Sequence, residues 1–262
     1  MGQGWSRLVG ALALVALAGC GGGPRELARS TSSVVAAPSF GDADPTDWAG
    51  RGPQVHPVHG IDVSKYQGAI DWPTARANGV SFAFIKATEG GDHRDPSFPR
   101  YWAEAAAAGI PRGAYHYYYF CSSGAQQAAW FIANVPRGQR ALPPVLDLEW
   151  TRSRTCPRRP PPAEVRAQAQ AFMAVVQNHY GQRPIVYTTV DFYRDNDLGR
   201  LNAEFWLRSV ADHPSATYPG QRWSFWQYTG TGLVPGIDGH VDLNVFAGNA
   251  AQWRQWLAAR LR

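Results

Sequence analysis

The sequence predicts an α/β fold, a TIM-like β/α barrel with five βα units followed by three further strands, (β/α)5(β)3. Between residues 58 and 189, short apolar runs typical of buried strands alternate with stretches of helical periodicity. After residue 190, three more strand-like runs follow without a long helical pattern between them. Eight strands are enough to close a barrel, and 262 residues suit one such domain.

The elements are predicted in order along the chain. The first four strands are predicted at 58–64, 81–88, 112–120 and 143–150. The helices between them are predicted at 72–79, 97–110 and 124–135. A helix at 162–180, which Gly181 would end, precedes a fifth strand at 183–189. The last strands are predicted at 204–210, 223–229 and 240–246, and the terminal helix at 250–261. This alternation is typical of parallel βαβ units.

The N-terminal residues are predicted to lie outside the barrel. Arg7 precedes an apolar run at 8–19 that is too short for a membrane span and ends in LAGC at Cys20. This pattern looks like a bacterial lipoprotein signal, which is cut before a cysteine that then carries lipid. The following residues are rich in Gly, Ser, Pro and Ala and lack apolar periodicity. We therefore expect a signal peptide at 1–19, a flexible tether with lipidated Cys20 at 20–57, and a single domain at 58–262.

This reading predicts an exported lipoprotein, anchored in a membrane and facing the cell envelope or periplasm. With Cys20 assigned to lipid, Cys121 and Cys156 remain. Export to an oxidising compartment favours a disulfide between them, and neither lies in a Cys-His type of catalytic motif. A catalytic cysteine is the alternative.

Composition and missing motifs exclude several classes of function. The formal net charge is +5, but no Arg/Lys run with interleaved aromatic residues indicates nucleic-acid binding. The seven histidines are scattered, and there is no glycine-rich phosphate loop or G-x-S-x-G motif. We therefore expect no cofactor and no histidine-based metal site, although an all-carboxylate Mg²⁺ or Ca²⁺ site stays open. A cationic surface suits an anionic polymer such as a cell wall.

Acidic residues lie at the ends of several predicted strands. In PPVLDLEW (143–150), Asp147 and Glu149 share one face, roughly 6–7 Å apart, because alternate side chains of a strand point the same way. Further acids close to strand ends are Asp62, Glu89 and Asp242. Barrel enzymes assemble their sites at the C-terminal ends of the strands, so five acids are expected at one mouth. Lys86 is the only cation expected there, which argues against a structural salt-bridge network.

Paired carboxylates with aromatic neighbours indicate glycoside hydrolysis. One protonated acid donates to the leaving oxygen, and one ionised acid stabilises the oxocarbenium-like centre or activates a nucleophile. Crowding of the carboxylates separates these two roles without a metal. The aromatic residues expected near the acids are Tyr115, Tyr117, Tyr187, Trp226 and Tyr228. Gln227 is expected to point away from them.

Five segments together resemble the glycoside hydrolase family 25 lysozymes of the Chalaropsis type. They are GIDVSKYQGAIDW (60–72), FAFIKATEG (82–90), GAYHYYYF (113–120), PPVLDLEW (143–150) and FWQYTGTGLVPGIDGHVDLNVF (225–246). The resemblance runs from about residue 59 to 246 in the family's order. It implies a muramidase that cuts the β-1,4 bond between N-acetylmuramic acid and N-acetylglucosamine in peptidoglycan. We expect a monomer, because one barrel with its own cleft needs no partner.

The resemblance also implies roles for individual residues. By motif position, Glu149 is similar to the family's proton donor and Asp147 to its second catalytic carboxylate. Asp62 and Asp242 match acids that flank the cleft, and Glu89 matches the acid of the K-x-[ST]-E-G segment. We therefore expect Glu149, Asp147 and Asp62 to be catalytic. The expected substrate-binding residues are Asp242, Glu89, Tyr115, Tyr117, Tyr187, Trp226 and Tyr228.

The sequence leaves more than one mechanism and more than one function open. In our hypothesis, Glu149 protonates the glycosidic oxygen, the substrate's 2-acetamido group attacks the anomeric carbon, and Asp147 orients that group, giving retention. Inversion, with Asp62 or Asp242 activating water, is the alternative. The competing functions are a catalytically silent peptidoglycan-binding module and a chitinase-like glycosidase, although the longer D-x-x-D-x-D-x-E signature of chitinases is absent, since Val145 stands where it needs Asp.

Overall fold

Eight strands close into a barrel in the computed structural model, which describes Met1 and residues 35–138, 140–151 and 153–261. The described residues from Val35 onward belong to one compact unit. The predicted signal peptide, Cys20 and residues 20–34 of the predicted tether lie outside the described residues. Of the helices within the described ranges, none has the length and hydropathy that crossing a membrane requires.

In the residues that the structure describes, ten strands make up the sheet. They are β1 (Gly41–Asp42), β2 (His59–Val63), β3 (Val80–Glu89), β4 (His93–Arg94), β5 (Arg112–Tyr117), β6 (Val145–Leu148), β7 (Ile185–Thr188), β8 (Glu204–Arg208), β9 (Phe225–Leu233) and β10 (Val241–Phe246). The barrel runs in the order β2, β3, β5, β6, β7, β8, β9, β10 and back to β2. The short strands β1 and β4 pair outside this ring, with β9 and β3 respectively. The predicted eight-stranded α/β barrel is thus confirmed.

The strands from β2 to β9 are parallel to their neighbours, as the alternation predicts. By contrast, β10 is antiparallel to both β9 and β2. The reason lies in the short connection 234–240, because a parallel crossover needs about a dozen residues or more. The reversed strand brings the start of β10 to the mouth, beside the C-terminal ends of the other strands.

Within the described ranges, seven α-helices accompany the strands: α1 (Trp72–Ala77), α2 (Phe98–Ala107), α3 (Gly124–Asn134), α4 (Pro162–Tyr180), α5 (Val190–Asp195), α6 (Pro214–Thr217) and α7 (Ala250–Arg260). Their ends follow local signals. Ser123 begins α3 and Asn249 begins α7, each in a capping box. Gly181 ends α4 with a φ of 70°. The short helices α5 and α6 lie where no long helical pattern was expected.

An aromatic cluster fills the barrel interior below the mouth. Phe84 of β3 and Trp206 of β8 stack with ring centroids 4.6 Å apart, and Phe225 packs against Phe84 at 5.1 Å. Trp253 of α7 packs against this cluster through Phe82, at 5.5 Å. Each fully buried ring of this kind contributes about 1.5–3 kcal/mol relative to exposure. Along β3, β6 and β7, the side chains that point into the barrel are apolar at the start of each strand and polar at its end. The polar side chains inside the barrel therefore lie at the C-terminal mouth.

Residues 35–57 belong to the folded unit rather than to the predicted tether. Gly41 and Asp42 pair antiparallel with Leu233 and Gly232 of β9. Further along, Thr46 Oγ1 donates to the Val210 carbonyl at 2.7 Å, and the Trp48 ring packs edge-on against Trp226 at 5.1 Å. The segment is held by a few anchoring side chains spaced irregularly, so it has no periodicity that would indicate order.

Candidate active site

Asp147 and Glu149 lie at the C-terminal end of β6. Asp147 is only 6% exposed, and its Oδ1 is buried without a hydrogen-bond partner among the described residues. Burial, followed by the charge of Glu149, raises the pKa of Asp147 well above its usual value. Burial also raises the pKa of Glu149, although Arg208, Lys86 and a hydrogen bond from Tyr117 oppose this. The two carboxyls therefore retain a proton at a pH where isolated carboxyls are ionised.

A second pair of acids, Asp62 and Asp242, lies on the neighbouring strands β2 and β10. The two residues are direct partners in the antiparallel ladder, and their side chains hydrogen-bond to each other. Burial raises the pKa of Asp62 to about 6. Burial, together with the charge of Asp62, raises the pKa of Asp242 to about 8. This pair too holds a proton near neutral pH.

Glu89 differs from the other acids because it has a cationic partner. Lys86 Nζ lies 2.6 Å from Glu89 Oε2, and the Tyr119 hydroxyl donates to Oε1. Burial alone raises the pKa of Glu89, but the hydrogen bonds from Lys86 and Tyr119 outweigh it and bring the pKa below its usual value. Lys86 also lies 4.6 Å from the centre of the Tyr117 ring. Glu89 is therefore an ionised residue that holds Lys86 in place.

Three of the predicted tyrosines lie with the acids. Burial and then the charges of Asp62, Asp147 and Asp242 raise the pKa of Tyr115. Burial and the charge of Glu149 do the same for Tyr117 and Tyr187. Their phenols stay protonated and can donate hydrogen bonds to a polar ligand.

Trp226 and Tyr228 lie on the other face of β9, away from the acids. The Trp226 side chain is fully buried, and its Nε1 donates to the Ser209 carbonyl at 2.6 Å. The Tyr228 hydroxyl is hydrogen-bonded to His59 Nδ1 at 3.0 Å. Gln227, between them, faces the acids. The face assigned to this strand was wrong because both faces of β9 are covered, and a strand covered on both sides shows no polar alternation.

The sequence reasoning missed three residues of the site: Arg208, Gln227 and Asn244. Arg208 ends β8, and its positive charge lowers the pKa of Glu149, Asp62 and Asp242. The expectation that Lys86 is the only cation at the strand ends was therefore wrong. Alternation from Trp206, whose ring lies inside the barrel, would have placed Arg208 on the inner face.

A disulfide joins Cys121 and Cys156, whose Cα atoms are 5.7 Å apart. Cys121 lies in the loop after β5 and Cys156 in the loop after β6. The first loop carries Tyr119, the partner of Glu89, and the second begins at Glu149. The covalent bond thus ties together two parts of the rim that contact the acids.

The arrangement suits acid–base chemistry on a polar ligand. Two carboxyl pairs each retain a proton, and phenol hydroxyls lie beside them. Across the described ranges, no group of three or more His, Cys, Asp or Glu side chains is arranged to hold a metal ion. The sequence matches the family model of the glycosyl hydrolases family 25 over residues 61–237.

Two relatives and one solved structure illustrate the similarity. Lysozyme M1 of Streptomyces globisporus is 35% identical over 234 residues, covering 86% of this chain and 77% of that protein. The N,O-diacetylmuramidase of Chalaropsis sp is 33% identical over 153 residues, covering 56% of this chain and 72% of that protein. The structure of a family 25 glycosyl hydrolase from Bacillus anthracis has 33% identity and a TM-score of 0.71, covering 81% of this chain and 99% of that one. Because the matched region runs from β2 to beyond β9 and contains Asp62, Asp147 and Glu149, the chain belongs to family 25 of the glycosyl hydrolases.

Proposed function

We propose that this family 25 glycosyl hydrolase is a lysozyme that cuts the β-1,4 bond between N-acetylmuramic acid and N-acetylglucosamine in peptidoglycan. The names of the lysozyme and N,O-diacetylmuramidase relatives support this substrate. Cell-wall glycan lies outside the cytoplasm, so the proposal includes export of the protein.

The observation that carries the proposal is Oδ1 of Asp147, beside Glu149, which has no hydrogen-bond partner in the part of the chain that the structure describes. A buried polar atom without a partner costs about 1–3 kcal/mol, so its retention calls for a donor that arrives with the substrate. The N–H of a 2-acetamido group is such a donor. A hydrogen bond to the ionised form of Asp147 lowers its pKa, which leaves the retained proton on Glu149.

The reaction then proceeds in two steps. Glu149 gives its proton to the glycosidic oxygen as the bond from that oxygen to the anomeric carbon breaks, and the acetamido oxygen bonds to the anomeric carbon. Asp147 accepts a hydrogen bond from the acetamido N–H. Its negative charge stabilises the positive charge that forms on the ring closed by the acetamido oxygen and the anomeric carbon. Water next attacks the anomeric carbon, Glu149 takes the water proton back, and the acetamido group is restored. Retention of configuration results.

Inversion is the competing mechanism, with Asp62 or Asp242 activating a water molecule on the opposite side. NMR of the first-formed anomer separates the two mechanisms. We expect the β-anomer first, whereas an initial α-anomer would overturn retention.

The function itself is tested with purified peptidoglycan. We expect the wild type to clear the suspension and to release fragments with a muramic-acid reducing end, detected by mass spectrometry. The matched variant Glu149→Gln should fold normally and lose activity by a factor of about 10³ or more, since it cannot donate the proton. Tight binding without clearing by the wild type would indicate a silent wall-binding module. Fragments ending in N-acetylglucosamine would indicate a chitinase-like specificity.

We also propose that Cys20 anchors the protein through a covalent lipid and that residues 1–19 are a signal peptide. The LAGC sequence after an apolar run supports this. In cells, the wild type should sediment with membranes, and Cys20→Ala should not. Sedimentation of both forms would argue against the lipid.

A further inference from the structure

We propose that Gln227 and Asn244 are positioning residues that keep Asp62 as the ionised member of the Asp62–Asp242 pair and leave the shared proton on Asp242. The proposal rests on the lysozyme reaction put forward above and adds to it that an ionised Asp62, besides Asp147, stabilises the positive charge that forms on the sugar. Gln227 lies in β9 and Asn244 in β10, so both belong to the barrel wall.

Two amide groups donate to a single oxygen of Asp62. Gln227 Nε2 lies 3.0 Å from Asp62 Oδ2, and Asn244 Nδ2 lies 2.8 Å from the same atom. An oxygen that accepts from two N–H donors has its lone pairs occupied and carries no proton itself. Hydrogen bonds to the charged form of a carboxyl favour that form, and both lower the pKa of Asp62 against the effect of burial.

The orientation of each amide is set by a second hydrogen bond. Trp206 Nε1, which can only donate, gives its proton to Asn244 Oδ1 at 2.7 Å, so the Asn244 nitrogen must face Asp62. The Tyr187 hydroxyl lies 2.9 Å from Gln227 Oε1 and donates to it, which turns the Gln227 nitrogen toward Asp62.

All four of these side chains are buried. Asn244 has no exposed surface, and Gln227 is 3% exposed. A rotated amide would present its oxygen to the carboxylate and leave the Trp206 or Tyr187 donor unsatisfied, at about 1–3 kcal/mol for each lost partner. The two amides are therefore fixed donors, and bulk water does not replace them.

The hydrogen bonding of Asp242 differs, because its side chain is hydrogen-bonded to the carboxyl group of Asp62. With Oδ2 of Asp62 occupied by amides, the proton between the two carboxyls belongs on Asp242, which donates it to Asp62. Burial and the neighbouring charge raise the pKa of Asp242 to about 8, against about 6 for Asp62, in agreement with this order. The other titratable and charged groups that face the pair are Asp147 of β6, Glu149 directly after β6, Arg208 of β8, Tyr115 of β5 and Tyr187 of β7.

The test is the pH profile of kcat and KM for Asn244→Leu and Gln227→Leu, measured on peptidoglycan fragments. Removing a donor from the charged oxygen raises the pKa of Asp62, so the acidic limb of kcat should move up by about one pH unit. At pH 6 the ionised fraction of Asp62 would fall from about one half to about one eleventh, so kcat should drop about fivefold, with KM changed less than about twofold. Trp206→Phe, which frees the Asn244 amide to rotate, should shift the limb in the same direction.

Asn196→Leu is the matched control. Asn196 is a buried asparagine, 1% exposed, whose Nδ2 donates to the Phe192 carbonyl at 3.0 Å at the end of α5. It should lose stability like the other variants but keep the wild-type pH profile. Loss of activity in Asn244→Leu and Gln227→Leu without movement of the acidic limb would mean a purely structural role and would overturn the proposal.

A measurement on the wild type covers the case in which the variants do not fold. Carboxyl ¹³C NMR, assigned with Asp242→Asn, should show Asp62 ionised and Asp242 protonated at pH 7. The reverse order would overturn the proposal. This titration needs no turnover, so its result does not depend on the proposed lysozyme activity. That activity is tested separately and is contradicted if the wild type does not clear peptidoglycan.

Discussion

At the scale of single residues, Asp147 combines burial, a neighbouring acid and an oxygen that has no hydrogen-bond partner among the residues that the structure describes. Such a group destabilises the folded protein unless substrate is bound, which is a common cost of catalytic residues. We expect Asp147→Asn to lower kcat by a factor of about 10²–10³, because the charge that orients the acetamido group is lost. The same change should leave the melting temperature unchanged or raise it. A variant that is both active and less stable would contradict this role.

Lys86 and Glu89 set the charge beside Asp147 and Glu149. Lys86 lowers the pKa of both Asp147 and Glu149, while Glu89 partly compensates its charge. In Glu89→Gln, the uncompensated Lys86 charge should lower the pKa of the pair further. Glu149 would then lose its proton at a lower pH, so the alkaline limb of the pH–rate profile should move down. An unchanged or higher alkaline limb would rule out this coupling.

At the scale of elements, the Cys121–Cys156 disulfide braces the loops after β5 and β6. It closes a loop with a sequence separation of 35 residues. We expect its removal to lower the free energy of unfolding by about 2–4 kcal/mol, because the cross-link restricts the unfolded chain. Denaturant titration with and without reductant measures the loss. The double variant Cys121→Ala/Cys156→Ala is the control and should not respond to reductant. Equal stability of the wild type in both conditions would contradict the prediction.

The elements also show what sequence patterns can reveal. Asp147 and Glu149 stand out because charges interrupt an apolar run, and the strands of the barrel follow from the alternation with helices. Gln227 and Asn244 carry no comparable signal, since a buried amide is recognised only by its partners across the barrel. Those partners come from β2, β7 and β8, far apart in the sequence.

The misplaced face of β9 has a related cause. In FWQYT (225–229), aromatic rings occupy both faces, inside the barrel at Phe225 and outside at Trp226 and Tyr228. Hydrophobicity alone does not distinguish the two faces, whereas the hydrogen bonds of Gln227 do. The antiparallel direction of β10 depends on the length of a connection and not on the composition of the strand.

At the scale of the whole molecule, the retained protons make stability depend on pH. Above pH 7, His59 and His116 do not contribute to this dependence. Both are neutral in the unfolded state because the usual pKa of histidine lies below 7, and neutral in the folded state because burial lowers the folded pKa of each to about 4. Asp242, with a folded pKa of about 8, binds a proton in the folded state that the unfolded state has released. Stability should therefore fall as the pH rises from 7 to 8, by up to about 1.4 kcal/mol per unit for this group.

Thermal melting at pH 7 and pH 8 measures this dependence. A loss of 1 kcal/mol corresponds to about 2–4 °C for a domain of this size. Asp242→Asn cannot lose the proton, so its melting temperature should change less over the same interval. Parallel curves for the wild type and the variant would show that Asp242 does not hold the proton.

The contact of residues 35–57 with β9 also determines at which residue a shortened recombinant protein can begin. A recombinant version starting at residue 58, the boundary that composition predicts, would lack the partner strand of Gly232 and Leu233 and the ring of Trp48 that covers Trp226. The uncovered strand edge and indole surface would invite self-association, and the product would precipitate on purification even though every residue of the cleft is present. A start near residue 33 retains both and should yield material that stays dispersed.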